Sequence, residues 1–131
     1  MRFVALDHVQ LCMPSGAEER ARAFYCGVLG MEELPKPADG AAGRGGCWFV
    51  AGTVHLHLGP EEPFRPALRA HPAITVDDLE GLRRRLEAAG LVVTDGKPIP
   101  GRRRVFSTDC FGNRMEWVQL GDGEAEGPGP A

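Results

Sequence analysis

Two segments space their apolar side chains three to four residues apart, which is typical of amphipathic helices. The first is predicted to begin after Ser15 and to end at Gly30, and the second to begin at Asp77 and to end at Gly90. Their buried stripes are predicted to be Ala17, Ala21, Phe24, Tyr25 and Val28 in the first, and Leu79, Leu82, Leu86 and Ala89 in the second. In each helix an acceptor at the start is followed three residues later by glutamate, the spacing of a capping box. Their charged opposite faces place both helices on the outside of a sheet.

The rest of the chain is mostly short runs of Val, Leu, Ile, Phe, Trp and Thr bounded by Gly, Pro or Asp, which predicts β-strands. The predicted strands are residues 3–12, 31–35, 46–51, 53–58, 71–76, 91–95, 103–109 and 114–120. Turns at 51–53 and 109–113 join two pairs of them into hairpins. Residues 38–46 and 121–131 are rich in Gly and poor in core-forming side chains, so we expect both to be poorly ordered.

The order strand, helix, strand, strand, strand occurs twice. The helix-ending residues Gly30 and Gly90 lie 60 residues apart, as do the turn residues Gly52 and Gly112. The repeat predicts an α+β fold in which two βαβββ modules of one chain form a curved mixed sheet with the helices on its convex outer face. The predicted domain covers residues 1–120, with module 1 at about 3–59, a connector at 60–70, module 2 at about 71–120 and a disordered tail at 121–131.

Composition narrows the class of function. The chain has 131 residues, 43% hydrophobic and 25% charged, which is typical of one globular domain. The net charge of −3 comes from three acidic residues in the tail, so the rest is neutral and no nucleic-acid or membrane partner is expected. No apolar run approaches the ~20 residues of a membrane span. The first residues lack the pattern of a secretory signal, and four cysteines without a CxxC pair suggest a reduced, cytoplasmic protein.

All four histidines fall in predicted strands. Alternation places His8 and His71 on the sheet face opposite the helices, at equivalent positions of the two repeats. His55 and His57 share one face of the strand that ends the first module, and Glu116 lies in the strand that ends the second. A two-fold pseudo-axis would bring these positions together.

A carboxylate inside an apolar strand is costly unless it is paired or bound to a cation. Imidazole and carboxylate ligands together suit one divalent Zn, Ni, Mn or Fe ion. The residues therefore predict a metal site of His8, His71 and Glu116, with either His55 or His57 as a fourth ligand, a base or a substrate contact. Alternatively, Glu116 pairs with Arg104 or Arg114 on the neighbouring strand.

Several motifs resemble the vicinal oxygen chelate superfamily, which includes glyoxalases, fosfomycin-resistance enzymes, dioxygenases and bleomycin-binding proteins. The motifs are DHVQLCMP at 7–14, AFYCGVLGM at 23–31, HPAITVDDLEGLRRRLEAAG at 71–90 and DCFGNRMEWVQ at 109–119. The resemblance covers about residues 5–120, and VHLHLG at 54–59 is similar to small glyoxalase and bleomycin-resistance proteins. It implies metal ligands at His8, His55, His71 and Glu116, where His55 stands in the place of a glutamate that glyoxalases usually carry.

The resemblance implies a glyoxalase-like, metal-dependent lyase, isomerase or thiol transferase that acts on a small oxygen-chelating substrate. Glu116 is the expected catalytic carboxylate, with His57 as a substitute base, and Arg104 is a candidate contact for an anionic substrate group. The alternative is a bleomycin-resistance-type protein that sequesters a small molecule without catalysis. Members of the superfamily commonly form homodimers, which we also expect here.

Overall fold

The structure, a computed structural model, describes residues 1–37 and 42–121. The chain forms two compact units, Met1–Arg65 and Pro66–Ala131, and each contains one four-stranded mixed sheet. Each unit has the order strand, helix, strand, strand, strand, so the predicted α+β fold of two βαβββ modules is confirmed. Residues 38–41 and the tail at 122–131 lie outside the described residues.

Unit 1 orders its strands β1-β4-β3-β2, with β1 parallel to β4 and the other neighbours antiparallel. Its elements are β1 (Val9–Met13), α1 (Glu18–Arg22), a π-helix (Ala23–Val28), β2 (Glu32–Leu34), a short 3₁₀ helix (Ala42–Arg44), β3 (Cys47–Ala51) and β4 (Val54–Pro60). The predicted helical stripe is buried at Ala21, Phe24 and Tyr25. The Tyr25 ring stacks on Phe49 of β3 with centroids 5.1 Å apart, so the helical segment covers one face of this sheet.

Unit 2 repeats the arrangement with the strand order β5-β8-β7-β6, and β5 runs parallel to β8. Its elements are β5 (Ala73–Val76), α2 (Leu79–Ala88), β6 (Thr94–Asp95), β7 (Arg104–Thr108) and β8 (Arg114–Gln119). Leu79 and Leu86 of α2 and Met115 and Trp117 of β8 are buried. Strand alternation therefore leaves Glu116 on the sheet face opposite Met115 and Trp117.

The two helices start differently from the capping-box prediction. The N-cap of α1 is Ala17, which makes no side-chain capping bond, so Ser15 does not cap this helix. The N-cap of α2 is Asp78 rather than Asp77, and its carboxylate accepts a hydrogen bond from the Gly81 N–H at 2.9 Å. Asp78 is followed three residues later by Gly81 rather than by a glutamate, so this cap is a bond from one backbone N–H to the Asp78 carboxylate and not a capping box.

The first strand is shorter than predicted. It begins at Val9 rather than at residue 3, and the preceding residues are exposed, with Phe3 94% and Leu6 78% accessible. The pairing of Val9 with Leu56 explains the difference, because continuing that register places Leu6 beyond Val54, where β4 begins. Residues 3–6 therefore have no strand of their own sheet to pair with.

Part of the segment 38–46, predicted to be poorly ordered, is regular. The 3₁₀ helix Ala42–Arg44 lies within it, and Gly46 follows with a φ of 98°. A Cβ atom on Gly46 would lie against the carbonyl oxygen of Leu58. Glycine is required here because the loop passes directly over the backbone of β4.

No helix among the described residues is long and apolar enough to cross a bilayer. The four cysteines, all within the described residues, are not in disulfides, and burial is the main cause that raises the pKa of the Cys47 thiol to about 11. Cys47 therefore remains a neutral thiol near neutral pH.

Candidate metal site and its surroundings

In unit 2, the start of β5 brings an imidazole against the carboxylate of β8. The parallel register pairs Ala73 with Glu116, and His71 lies two residues before Ala73. The Nε2 atom of His71 is 3.0 Å from Oε1 of Glu116, and its Nδ1 atom is 2.8 Å from the backbone carbonyl oxygen of Arg69. The side chains are 24% and 12% exposed, respectively, so the pair is largely shielded from solvent.

The backbone contact places a proton on one nitrogen of the His71 ring. A carbonyl oxygen only accepts hydrogen bonds, so Nδ1 carries a proton and donates it to Arg69. The Nε2 atom faces Oε1 of Glu116, a carboxylate oxygen that also only accepts, so a positive centre lies between these two atoms. That centre is a proton on Nε2, which makes a hydrogen bond to the carboxylate, or a cation that replaces the proton. The pair therefore offers a metal ion two ligand atoms.

A guanidinium contacts the other oxygen of Glu116. Nη1 of Arg104 donates to Oε2 at 3.3 Å, and Nη2 donates to the carbonyl oxygen of Lys97 at 3.2 Å. The third guanidinium nitrogen of Arg104, Nε, is buried and has no hydrogen-bond partner among the described residues. The alternative pairing of Glu116 with Arg104 is thus present together with the His71 contact.

The same pair opens onto a cavity of about 830 Å³ within unit 2. Its wall carries Phe106, whose ring lies edge-on to His71 with centroids 5.5 Å apart. The Cζ atoms of Arg104 and Arg114 lie 5.2 Å and 4.3 Å from the centre of the Phe106 ring. The cavity also borders Lys97, so cationic side chains outnumber carboxylates around Glu116 and favour an anionic ligand.

In unit 1, three rings form a continuous stack. His57 of β4 lies between His8, with centroids 4.0 Å apart, and Trp48 of β3, with centroids 4.3 Å apart. Trp48 is directly opposite His57 in the antiparallel register. His57 is 8% exposed, whereas the side chain of His8 is 40% exposed. The stack therefore holds the His57 ring in place and leaves one edge of His8 accessible.

The accessible atom of His8 is set by its neighbour in sequence. Nδ1 of His8 lies 2.8 Å from a carboxylate oxygen of Asp7, so it donates its proton there. This hydrogen bond is the main cause that lowers the pKa of Asp7. His8 and His71 therefore both have Nδ1 bonded, one to a carboxylate and the other to a backbone carbonyl, so Nε2 is the ring nitrogen that a metal would bind.

The strand registers also bear on His55 and His57. In unit 1, Gln10, two residues after His8, pairs with His57. In unit 2, Ala73, two residues after His71, pairs with Glu116. His57 consequently occupies in unit 1 the position that Glu116 occupies in unit 2. His55 lies two residues earlier on β4, opposite Val50, and borders the same depression as His8.

We predict that His57 stays neutral at pH values where an ordinary histidine becomes charged. Burial lowers the pKa of His57 below 6.5, and the imidazoles of His8 and His55 lower it further. Because the folded-state pKa lies below the unfolded one, the unfolded chain binds the proton first, and this residue makes the fold less stable as pH falls through 6.5. An NMR titration of the metal-free protein should show the His57 ring protons titrating below pH 6.5. A midpoint at or above that value would contradict the stacked, desolvated position.

The structure brings the predicted residues together in pairs. His71 meets Glu116, Glu116 meets Arg104, and His8 meets His57. Within residues 1–37 and 42–121, no group of three or more His, Cys, Asp or Glu side chains is placed to hold a metal ion. The His71–Glu116 and Glu116–Arg104 contacts lie in unit 2, and the His8–His57 contact lies in unit 1.

Sequence reasoning missed Asp7, and it left open which aromatic residues lie near the histidines. Asp7 directly precedes His8, and a carboxylate beside a candidate ligand histidine is a recognisable signal. The two-residue turn at Gly52 and Thr53 fixes Ala51 opposite Val54, and counting back along the hairpin places Trp48 opposite His57. Phe106 is found in the same way, since β7 pairs it with Glu116. Both aromatic neighbours were thus obtainable from hairpin register.

Comparison with known proteins shows the family of the chain. The Glyoxalase/Bleomycin resistance protein/Dioxygenase superfamily matches residues 5–117, and the chain belongs to this superfamily. It is similar to a glyoxalase family protein from Bacillus anthracis, with 43% sequence identity and a TM-score of 0.85 over 91% of this chain and 97% of that one. No curated protein sequence matches the chain.

Two more distant structures share the fold. A variant of the fosfomycin resistance protein FosX from Listeria monocytogenes, complexed with Mn(II) and 1S,2S-dihydroxypropylphosphonic acid, is 15% identical with a TM-score of 0.70, covering 88% of this chain and 90% of that one. TnmS3, an antibiotic binding protein from Streptomyces sp. CB03234, is 24% identical with a TM-score of 0.63, covering 89% and 98%. At these identities the likeness concerns the fold alone.

Proposed function

We propose that the protein is a divalent-metal-dependent enzyme of glyoxalase type, a lyase, isomerase or thiol transferase that acts on a small oxygen-chelating substrate. The observation that carries the proposal is the 3.0 Å contact between Nε2 of His71 and Oε1 of Glu116. A cation that replaces the proton between these two atoms would be bound by both, and the imidazole–carboxylate set suits Zn, Ni, Mn or Fe. The complex of FosX with Mn(II) is a precedent within the same fold.

The proposed ligands are Nε2 of His8, Nε2 of His71 and a carboxylate oxygen of Glu116, with one further position for His57 or His55. His8 and His71 are prepared for this role because their Nδ1 atoms are already bonded. The register equivalence to Glu116 favours His57 over His55 as the counterpart on β4. We also propose a homodimer as the assembly.

When bound, the metal would polarise two neighbouring oxygens of the substrate and stabilise negative charge that develops on them. Glu116 is the carboxylate of the set and can accept a proton from the substrate carbon or oxygen next to it. His57, kept neutral by burial, retains a lone pair and is suited to act as a second base. Arg104 presents N–H groups in the unit 2 cavity, where it can bind an anionic substrate group.

A second candidate function is sequestration of a small molecule without catalysis. The stack of Trp48, His57 and His8 favours it, because flat aromatic surfaces bind planar ligands. TnmS3 is a precedent for antibiotic binding on this fold. In this reading ligand binding would not require a metal.

The metal content of the purified protein separates the two candidates. We expect about one divalent ion per chain, measured by mass spectrometry and by titration of the chelator-treated protein. A double variant, His8→Ala with Glu116→Ala, should bind none while keeping the circular dichroism spectrum of the fold. Absence of bound metal together with no binding on titration would overturn the enzyme proposal and leave sequestration, which metal-free binding of aromatic antibiotics would then test. A metal-loaded protein would next be screened with hemithioacetals, epoxides and catechols.

A further inference from the structure

We propose that Arg104 is an exchangeable counter-ion of Glu116, which rests on the proposed metal function. In the metal-free protein Arg104 occupies one oxygen of the carboxylate. It gives that oxygen up when a divalent cation binds, and its guanidinium then becomes available to an anionic group of the substrate. Arg104 would thus compete with the metal for Glu116 and would bind the anionic group of the substrate. An arginine in a permanent structural ion pair has neither role.

The contact between the two side chains is long. Nη1 of Arg104 lies 3.3 Å from Oε2 of Glu116, whereas charge-assisted hydrogen bonds between nitrogen and a carboxylate are typically about 2.7–2.9 Å. Only one guanidinium nitrogen reaches the carboxylate, so the two-pronged geometry that makes arginine pairs strong is absent. The bond is therefore one that a divalent cation can replace.

Arg104 has a second anchor that does not depend on Glu116. Nη2 donates to the carbonyl oxygen of Lys97 at 3.2 Å. The side chain also passes over Gly96, where a Cβ atom would lie 2.9 Å from Nε of Arg104. The missing side chain of Gly96 thus makes room for the guanidinium beside the backbone. When Glu116 leaves, this anchor keeps Arg104 in the cavity.

The guanidinium also has an unused donor. Nε of Arg104 is buried and lacks a hydrogen-bond partner among the described residues, an arrangement that buried polar groups rarely keep. The side chain lies in the wall of the unit 2 cavity, with the Phe106 ring 5.2 Å from its Cζ atom. An anion entering the cavity would give the Nη groups of Arg104 new acceptors and would neutralise the guanidinium charge in place of Glu116.

The test compares the affinity of wild-type protein and Arg104→Gln for Mn(II) and Zn(II) by calorimetric titration. Removal of the competing cation should raise the affinity by about fivefold, the change that corresponds to the upper end of the range for a single ion pair without two-pronged geometry. Arg114→Gln is the matched control, because it removes the same charge from the same cavity and also lies over Phe106. The affinity of this control should change less than that of Arg104→Gln. Arg104→Lys, which keeps a charge but lacks the fork, should give an intermediate rise and serves as the second variant if the glutamine variant fails to fold.

A second measurement determines the affinity for an anion. Inorganic phosphate should bind the metal-loaded wild-type protein more tightly than the metal-loaded Arg104→Gln variant. In the metal-free forms, where Glu116 engages the guanidinium, the same substitution should reduce the phosphate affinity less. Unchanged or weaker metal binding in Arg104→Gln would overturn the exchange while leaving the metal proposal intact. If the wild-type protein itself binds no metal, the proposed function fails first.

Discussion

Replacing Glu116 by glutamine is expected to lower the affinity for a divalent metal by at least about a hundredfold, more than the loss of a typical outer-shell partner, which costs about 10- to 100-fold. The amide keeps the size of the side chain and can still accept one hydrogen bond, but it carries no charge. The amide N–H can also donate to Nε2 of His71 across the present 3.0 Å contact and occupy the lone pair that a metal would need. The measurement is a competitive titration against a chromophoric chelator.

A matched control exists on β2. Glu33 also pairs with an arginine, Nε of Arg22 at 2.7 Å, and lies outside the proposed ligand set. Glu33→Gln should therefore bind metal with the wild-type affinity. Equal affinities of Glu116→Gln and the wild-type protein would remove Glu116 from the ligand set and leave it as the partner of Arg104.

Replacing Asp109 by alanine is expected to reduce the free energy of unfolding by about 3–5 kcal/mol, since hydrogen bonds to a charged group contribute about 1.5–3 kcal/mol each and are not additive. Asp109 is 1% exposed in the turn between β7 and β8. One of its oxygens accepts from the N–H groups of Phe111 and Asn113 at 2.9 Å, and the other accepts from Nδ2 of Asn113 at 3.0 Å. The substitution would leave these buried donors without the carboxylate. The change in the free energy of unfolding is measured by urea denaturation, monitored by circular dichroism.

The turn also supports the segment that leads to the site. Oδ1 of Asn113 accepts from the N–H of Ala67, and the N–H of Arg114 donates to the carbonyl of Ala67. Because this segment continues to His71, loss of Asp109 should weaken metal binding as well as stability. Asp95→Ala is the control, since Asp95 is 80% exposed and makes one ion pair with Arg83, worth about 1 kcal/mol or less. A destabilisation no larger than that of the control would contradict the proposed role of the turn.

Much of the fold followed from local pattern. The helical stripe at Ala21, Phe24 and Tyr25 is buried as the spacing predicts, because periodic apolar side chains can reach a core only in that conformation. The strand ends were less predictable. Residues 3–6 have the composition of a strand, yet they extend past the start of β4 and have nothing in their sheet to pair with. Pairing length depends on the partner strand, which a local pattern does not contain.

The candidate site also has features that followed from the sequence and features that did not. The residues of the sequence determined which groups are available, namely two histidines at equivalent repeat positions, one glutamate late in the second repeat, and arginines on the strand beside it. Strand alternation also determined that Glu116 faces away from Met115 and Trp117, since successive side chains point to opposite faces. These are consequences of order along one chain and need no long-range contact.

Only the tertiary structure decided which atoms meet. The His71 Nδ1 bond to a backbone carbonyl, the contact of its Nε2 with Glu116, and the single-pronged approach of Arg104 all depend on how β5, β7 and β8 lie side by side. The same holds for the position of His57, which the register of β1 with β4 makes the counterpart of Glu116. These hydrogen bonds join residues far apart in the chain, so they depend on strand pairing that only the folded state establishes, whereas the position of Trp48 opposite His57 follows from the local hairpin.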